Sequence, residues 1–262
     1  METRDKLNSF EGYQEIIKRQ NGYIVEYLAK INALDEASKK NIQLFPLPNQ
    51  DVAKNTWDSI FKYQYDNLIA KYSAGESIIE LKKEINPIFT SMEKSWKKSN
   101  GYVQMVWMLS IGILLNIEDE VFTKLVKLVE KDNPNDFLVD FLIHYRVHSW
   151  KGKSDSFMFI RPYQVTQEID SLAQNDKIKS LERLKKYLTK EWYRGHSDCG
   201  WYDAHKSKWN IHTGYWSFES GALVKILGLD DSTLKGLPYY PYDMVHWMDK
   251  KPVPKHSWTI ID

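Results

Sequence analysis

The longest apolar run of the chain is VQMVWMLSIGILL, residues 103–115. Only Gln104 and Ser110 interrupt it, so a helix formed by this stretch is apolar on every side. Such a helix is normally enclosed by its neighbours, and we therefore expect it at the centre of the fold. The run is shorter than the roughly 20 residues that a helix needs to cross a bilayer. The sequence thus predicts no membrane-spanning segment.

On both sides of this run, apolar residues recur every three or four positions, which indicates amphipathic helices. Two such stripes precede it, Phe10 to Ile31 and Trp57 to Tyr72, and the proline-containing segment 44–50 separates them. Two more follow it, Val121 to Val129 and Phe137 to Tyr145. The alternation of apolar and polar residues that is typical of strands occurs nowhere at sufficient length. We therefore predict an all-α protein.

The division of the chain is indicated by KGKSDS, residues 151–156, which is the best candidate for a linker. It predicts a helical N-terminal domain over residues 1–150 and a helical C-terminal domain over residues 151–262. Within the first domain, Ser73 and Glu76 have the spacing of a capping box, so we expect a helix to begin there.

The C-terminal region has a different composition from the rest. From Trp192 to Trp247 it is dense in Trp, Tyr, His, Gly and Asp, with short elements and tight turns. The pattern WYxxH occurs at residues 192–196 and again at residues 201–205, which we interpret as chance or local packing. The fold expected from these patterns is a bundle-like array of several helices with a turn-rich, aromatic C-terminal region.

One acid in this region has an unexpected position. On a helix at 100° per residue, Glu219 of GYWSFESGALVKILG, residues 214–228, falls in the middle of an apolar side. That side consists of Tyr215, Trp216, Ala222, Leu223 and Ile226. The opposite side would carry smaller and polar residues such as Ser220 and Gly221. A buried carboxylate is costly unless it is hydrogen-bonded or paired, so Glu219 is either a catalytic or a structural group.

Composition limits the class of protein. The formal net charge is +1, and the single cysteine, Cys199, excludes an internal disulfide and fits a reducing compartment. The first ten residues, METRDKLNSF, lack the apolar segment of a secretory signal. We therefore expect a cytoplasmic protein. Its 10 Trp, 16 Tyr and 10 Phe residues supply the side chains that often anchor interfaces, and they are compatible with a homodimer.

Charge is distributed unevenly along the chain. Residues 116–140 contain seven acids and three lysines, whereas residues 171–195 contain seven bases and three acids. Both segments could be solvated helix faces. Alternatively, either could be a charged docking surface that speeds association with a partner.

Motifs for catalysis are not convincing. His144 and His148 occur as HYRVH, without the glutamate of the HExxH metallopeptidase motif. Neither Cys199 nor Ser217 lies in a recognisable nucleophile motif, and glycine-rich phosphate loops are absent. We assign no catalytic, cofactor-binding or metal-binding residue and expect no cofactor.

Several segments resemble a known family. WYDAHKS (201–207), GYWSFESGALVKILGLDDSTLK (214–235) and YYPYDMVH (239–246) resemble the C-terminal domain of the PoNi immunity proteins, which neutralise polymorphic nuclease toxins. The segments AKYSAGESIIELKKEI, WMLSIGILL and FLVDFLI are similar to the N-terminal domain of that family. The resemblance covers roughly residues 4–247.

This resemblance implies a helical protein that stays in the cytoplasm of a toxin-producing bacterium and blocks its cognate DNase toxin by direct contact. Such inhibition is stoichiometric and involves neither catalysis, direct nucleic-acid binding nor a membrane. Glu219 would then belong to a structural network of polar and aromatic residues. The expected members of that network are His205, Tyr215, Trp216, Glu219, Asp230, Asp231, Tyr240 and Asp243.

The acidic segment 116–140 is the expected toxin-facing surface, because the DNA-binding cleft of a nuclease is basic. The candidate residues are Glu118, Asp119, Glu120, Asp132 and Asp136. The basic helix at residues 177–194 should then lie away from the toxin.

Two other functions compete with a toxin-binding protein. A metal-dependent hydrolase could use His205, Glu219, Asp243 and His246, although no spacing forces them together. A nucleic-acid-binding protein could use the basic helix, but that helix lacks aromatic residues interleaved with its lysines and arginines.

Overall fold

The computed structural model describes residues 2–96, 101–132 and 134–249, and within these ranges it contains helices and no strand. The α-helices are α1 (Phe10–Lys39), α2 (Asn49–Ala74), α3 (Ile78–Lys83), α4 (Ile85–Ser95), α5 (Tyr102–Leu114), α6 (Asp119–Asp132), α7 (Phe137–Arg146), α8 (Ile160–Tyr163), α9 (Val165–Ala173), α10 (Lys177–Lys186), α11 (Trp192–Gly195), α12 (Phe218–Leu227) and α13 (Tyr242–Val245). A π-helical turn, Tyr187–Glu191, joins α10 to α11, and 3-10 turns occur at Ala204–Lys206 and Asp231–Leu234. The predicted all-α fold is confirmed.

Helix α5 lies at the centre of the core. All of its residues from Met105 to Leu114 are buried, and it packs against α6, α7 and α12. The enclosed position predicted for the apolar run is therefore confirmed. Across the described ranges, no helix is both long enough and apolar enough to cross a membrane.

The two longest helices, α1 and α2, form a hairpin that packs on the core through α4. Near the N-terminal end of α1, Tyr13, Ile16 and Ile17 form a small second cluster with Ala70 and Ala74 of α2. The small alanine side chains allow the two helices to approach closely at this crossing.

Helix α2 continues past the position where a new helix was expected. Ser73 lies in its last turn, and the helix ends at Gly75, which has the left-handed φ of 99° that favours glycine. The expected capping box at Ser73 and Glu76 is therefore wrong. Instead, the Ser73 hydroxyl donates to the carbonyl oxygen of Thr213 at 2.7 Å and joins α2 to the C-terminal region.

The expected linker at residues 151–156 is held against α7. The backbone N–H of Ser154 donates to Asp140 Oδ2 at 2.9 Å, and the N–H of Phe137 donates to the carbonyl oxygen of Ser156 at 2.8 Å. The main core is continuous across this point because α5 packs on α12. The division at residue 150 stays a prediction, and residues 250–262 of the second predicted domain lie outside the described ranges.

Candidate functional site

Helix α12 carries Glu219 and is buried on both sides. Every residue from Phe218 to Val224 is buried. The side that was expected to be polar is covered too, because Gly221 lies against Leu114 of α5 and against Pro241. The helix therefore lies between α5 and the segment before α13, and the position of Glu219 is more enclosed than an amphipathic helix would make it.

Glu219 itself is fully buried and accepts three hydrogen bonds on one oxygen, Oε1. The donors are Trp192 Nε1 at 2.6 Å, the Ser217 hydroxyl at 2.7 Å and the Tyr187 hydroxyl at 3.2 Å. Within the described ranges, its second oxygen, Oε2, has no partner. Burial raises the pKa of Glu219 above its ordinary value, although the three donors oppose that rise. Neutral donors, rather than a cation, thus hold this carboxyl group.

The two aromatic donors lie at the two ends of the π-helical turn. Tyr187 begins the turn and Trp192 follows it directly. Because a π-helix forms its hydrogen bonds between residues five apart, these two side chains lie about one turn apart and both point inward. Glu219 Oε1 accepts a hydrogen bond from each of these two side chains and so holds the π-helical turn against α12.

A second polar group surrounds Asp231. Its Oδ2 accepts a short hydrogen bond from the Tyr240 hydroxyl, and its Oδ1 lies 2.8 Å from His246 Nε2. His246 Nδ1 in turn lies 2.5 Å from Asp249 Oδ2. Burial lowers the pKa of His246, but the two carboxylates outweigh this effect and leave the pKa raised. This group joins the 3-10 turn at Asp231 to the end of α13.

A third group joins the N-terminal segment to the loop at residues 204–214. His212 Nε2 lies 2.8 Å from Asp5 Oδ2, and both side chains are buried. Burial acts to raise the pKa of Asp5, but the hydrogen bond and charge of His212 leave it lowered. Next to this pair, the Tyr215 hydroxyl lies 2.9 Å from His205 Nδ1.

The other expected members of the network have separate partners. Trp216 Nε1 donates to the Ser73 hydroxyl at 2.9 Å, and Asp243 pairs with Arg4 Nε at 2.7 Å. Asp230 is exposed and caps the 3-10 turn by accepting from the N–H of Ser232 at 3.1 Å. The structure thus distributes the eight expected residues over several groups instead of one network, and Glu219 bonds to none of the other seven.

The residues proposed for a hydrolase do not come together either. His205, Glu219, Asp243 and His246 each bond to a different partner, as described above. Over residues 2–96, 101–132 and 134–249, no three His, Cys, Asp or Glu side chains are arranged to hold a metal ion. The four residues therefore form no common site.

The acidic segment is partly internal. Asp136 is fully buried and caps α7, because its two oxygens accept from the N–H groups of Val139 and Met158, each at 2.9 Å. The expectation that Asp136 faces a toxin is therefore wrong. Asp140, which contributed to the charge count, is buried as well and accepts from Trp150 Nε1 at 2.8 Å.

The other four candidate acids of this segment lie nearer the surface, and three of them have a partner within the molecule. Glu118 lies 3.3 Å from Lys82 Nζ, and Asp119 pairs closely with Arg146. Asp132 accepts from Trp96 Nε1 at 2.6 Å, and Glu120 is exposed. Three exposed lysines on the same helix, Lys124, Lys127 and Lys131, further reduce its negative charge. The outer face of α6 is therefore close to neutral.

An aromatic groove of about 670 Å³ opens beside the C-terminal groups. Its lining includes Tyr72, Tyr215, Trp216, Tyr239, Tyr240 and Tyr242, and its charged residues include Arg4, Lys6, Lys235 and Asp243. Tyr239 has a left-handed φ of 67°, and its ring stacks almost parallel to Tyr193, with 5.4 Å between centroids. A groove of this size and aromatic content can accept a side chain or a loop of a partner.

Sequence reasoning did not identify Tyr187 and Trp192 as the partners of Glu219. The repeated WYxxH pattern reflects local packing: the rings of Trp192 and Trp201 stack at 5.7 Å, and those of Tyr193 and Tyr202 at 4.5 Å. The donors Tyr187 and Trp192 lie far from Glu219 in sequence. No pattern within one helix could therefore reveal their hydrogen bonds.

Comparison with solved structures identifies a protein of similar fold. The chain is similar to protein PA2201 from Pseudomonas aeruginosa, with a TM-score of 0.59 over 88% of this chain and 87% of that one. The sequence identity is 16%, so the likeness concerns the fold alone. No curated protein has a matching sequence.

Comparison with protein families accounts for nearly all of the described chain. The N-terminal model of the PoNe immunity proteins matches residues 4–127, and the C-terminal model matches residues 134–244. The segment FLVDFLI, residues 137–143, falls in the C-terminal match, which corrects its assignment to the N-terminal domain. With both regions present and in order, the chain belongs to the family of PoNe immunity proteins, PoNi.

Proposed function

We propose that this protein binds a cognate bacterial DNase toxin directly and neutralises it, and so protects the cell that produces the toxin. The observation that carries the proposal is the match of both PoNi family models, which together extend from residue 4 to residue 244. The inhibition is stoichiometric and takes place in the cytoplasm.

The polar groups of the C-terminal region support this proposal. Glu219, Asp231 and His212 are engaged in internal hydrogen bonds that join one element to another. Their role is to fix the packing of a turn-rich region. The surface that this packing leaves exposed, including the aromatic groove, is then available for protein contact.

The test begins with affinity purification of the tagged protein from its own bacterium, followed by mass spectrometry of what co-purifies. We expect a nuclease in near one-to-one amount. That nuclease, purified separately, should lose DNA cleavage as the immunity protein is added, with complete inhibition at one equivalent. A nuclease that keeps its activity in the presence of excess immunity protein would contradict the proposal. Light scattering of the same purified protein tests the homodimer, which stays a prediction.

A further inference from the structure

The outer surface of α10, the π-helical turn and α11 is strongly basic. Nine side chains between residues 177 and 195 are exposed, and only one of them, Glu182, is acidic. Six are cations, which we call the basic strip: Lys177, Lys179, Lys185, Lys186, Lys190 and Arg194. Because the whole chain has a net charge of only +1, the rest of the molecule carries a net negative charge. The strip is therefore a local feature rather than the sign of a generally basic protein.

Much of this positive charge is not neutralised within the molecule. The nearby acids Glu168 and Glu191 both bind Arg183, a half-buried residue beneath the strip, at 2.7 and 2.9 Å. By contrast, Lys185, Lys190 and Arg194 form no ion pair with any residue of the described ranges. These three cations remain available to a partner.

Helix stability explains only part of the strip, because Lys185 and Lys186 lie in the last turn of α10, where the helix dipole favours cations. Lys177 and Lys179 lie in the first turn of α10, where the helix dipole disfavours cations. Lys186 and Lys190, four positions apart, are both cations and repel each other across the start of the π-helical turn. Lys177 donates to the carbonyl oxygen of Gly228 at 3.2 Å, and two other lysines of the strip form ion pairs, Lys179 with Asp176 at 3.2 Å and Lys186 with Glu191 at 3.8 Å. The lysines of the first turn and the Lys186–Lys190 pair therefore have no favourable interaction with the helix dipole or with each other.

The basic strip also rests on a rigid base. The π-helical turn in its middle is fixed by the hydrogen bonds from Tyr187 and Trp192 to Glu219. These bonds keep the aromatic side chains inside and leave Lys185, Lys190 and Arg194 outside. A preorganised surface loses less conformational entropy when it binds.

We propose that the basic strip is the docking surface for an acidic face of the partner nuclease; this inference rests on the proposed function. At 1.5 Å per residue the strip is about 26 Å long, which suits an interface of standard size, about 800 Å² on each partner. A protein partner is chosen because the proposed function is the binding of a nuclease. A single-stranded nucleic acid is disfavoured further, because Tyr187 and Trp192 are buried and offer no surface on which bases could stack. Since the DNA-binding cleft of a nuclease is basic, the face that is contacted lies outside that cleft.

The test compares two variants with the same change in charge. The first carries Lys185→Glu, Lys190→Glu and Arg194→Glu on the strip. The matched control carries Lys124→Glu, Lys127→Glu and Lys131→Glu on the exposed face of α6. Binding to the nuclease recovered by affinity purification, with its catalytic residues inactivated, is measured at 50 and 200 mM salt. We expect the strip variant to bind at least about tenfold more weakly at low salt and with less salt dependence, and the control to bind like the wild type.

Folding and the competing partner are checked in the same experiment. Circular dichroism confirms that each variant is folded, and a variant with Gln at the three strip positions should give an intermediate loss of affinity. Equal affinity of the wild type and the strip variant would overturn this inference and leave the proposed function intact. Failure of the wild type to bind any nuclease would overturn both. Loss of binding to a 20-base-pair DNA duplex, without loss of nuclease binding, would identify the strip as a nucleic-acid surface and overturn the inference as well.

Discussion

At the scale of single residues, Glu219 is the acceptor on which three buried donors depend. Its replacement by alanine leaves Trp192 Nε1 and the hydroxyls of Tyr187 and Ser217 without their acceptor. The Ser217 hydroxyl also lies 2.6 Å from the Ser220 hydroxyl, so it keeps a partner and the other two donors do not. Because each unsatisfied buried donor costs about 1–3 kcal/mol, we expect Glu219→Ala to lower the free energy of unfolding by about 2–6 kcal/mol. Urea unfolding measures this change.

Two controls distinguish this role from a general effect of removing an acid. Glu219→Gln keeps an acceptor oxygen and removes the buried charge, so it should cost clearly less than alanine. Glu120→Ala, on the exposed face of α6, should change stability by less than about 0.5 kcal/mol. If Glu219→Ala were as stable as the wild type, the three hydrogen bonds would have no structural role.

Asp66 of α2 gives a prediction about pH. Burial raises its pKa to about 7, while the charge of Lys62 opposes the rise. The unfolded chain therefore releases this proton near pH 4 and the folded protein only near pH 7, so the contribution of Asp66 to stability falls as pH rises between these values. We expect Asp66→Asn to stabilise the protein by about 1–3 kcal/mol at pH 8 and by less at pH 5.

Urea unfolding at the two pH values checks this expectation. Asp58→Asn is the matched control, because Asp58 lies on the same helix and is already paired with Lys62 at 2.7 Å. It should bring no gain at pH 8. A gain for Asp66→Asn that is equal at both pH values would show that its proton is not involved.

Single residues also show what a sequence can predict. The burial of Glu219 was predicted from its near neighbours in sequence, although two of them, Tyr215 and Trp216, precede the start of α12 at Phe218. Asp136 misled the charge count for the opposite reason. An acid that caps a helix and an acid on a surface look alike in sequence, and only the contact with the N–H group of Met158, 22 residues away, distinguishes them.

At the scale of elements, the π-helical turn is the feature that the sequence concealed. An α-helix rotates by 100° per residue, so a pattern of apolar residues extends through Tyr187 and Trp192 without revealing the change of pitch. Long amphipathic helices such as α1 and α2 were predictable because their stripes repeat many times. The capping box at Ser73 was wrong because α2 continues to Ala74, and the Ser73 hydroxyl bonds to Thr213 and Trp216 instead of capping a new helix.

Deletion of Thr189 tests the role of this turn. Thr189 is exposed, and its removal converts the π-helical register to an α-helical one. The tryptophan then follows Tyr187 by four residues of an α-helix instead of five of a π-helix, which is again about one turn, so its ring still points toward Glu219. We therefore expect a loss of stability of at most about 1 kcal/mol and little change in the near-ultraviolet circular dichroism of the tryptophans.

Thr189→Ala is the control, because it removes the side chain and keeps the register. The loss of stability of this variant should stay below about 1 kcal/mol, which corresponds to the hydrogen bond from the Thr189 hydroxyl to the carbonyl oxygen of Lys185. A deletion variant that is several kcal/mol less stable than Thr189→Ala would mean that the π-helical turn itself, and not only the one-turn spacing of Tyr187 and Trp192, is needed for the packing.

At the scale of the whole molecule, burial determines how much of the charge of each segment lies at the surface, where it can attract a partner. The acidic segment 116–140 loses much of its charge to the interior and to ion pairs, whereas the basic strip remains exposed. Counting charges along the sequence treats the two segments alike, since it contains no information on which side chains are enclosed. The sequence therefore predicted the two charged segments but not which of their side chains are enclosed, and the surface that contacts the toxin stays a prediction.

The continuity of the core leads to a last prediction, about how the molecule unfolds. Gly221 of α12 lies between the two halves, and a Cβ at this position would come within 3.0 Å of Pro241 Cγ and 3.3 Å of Leu114 Cδ1. Gly221→Val therefore forces α12 away from α5, and overpacking of this kind costs about 1–3 kcal/mol. Because α5 is enclosed by both halves, we expect helix content and tryptophan fluorescence to lose their native signal in one transition, shifted equally by the variant.

Gly200→Ala, where the added Cβ meets nothing within 4 Å, should leave the transition unchanged. Two separate transitions, of which only the C-terminal one shifts, would instead mean that the halves on either side of residue 150 unfold independently.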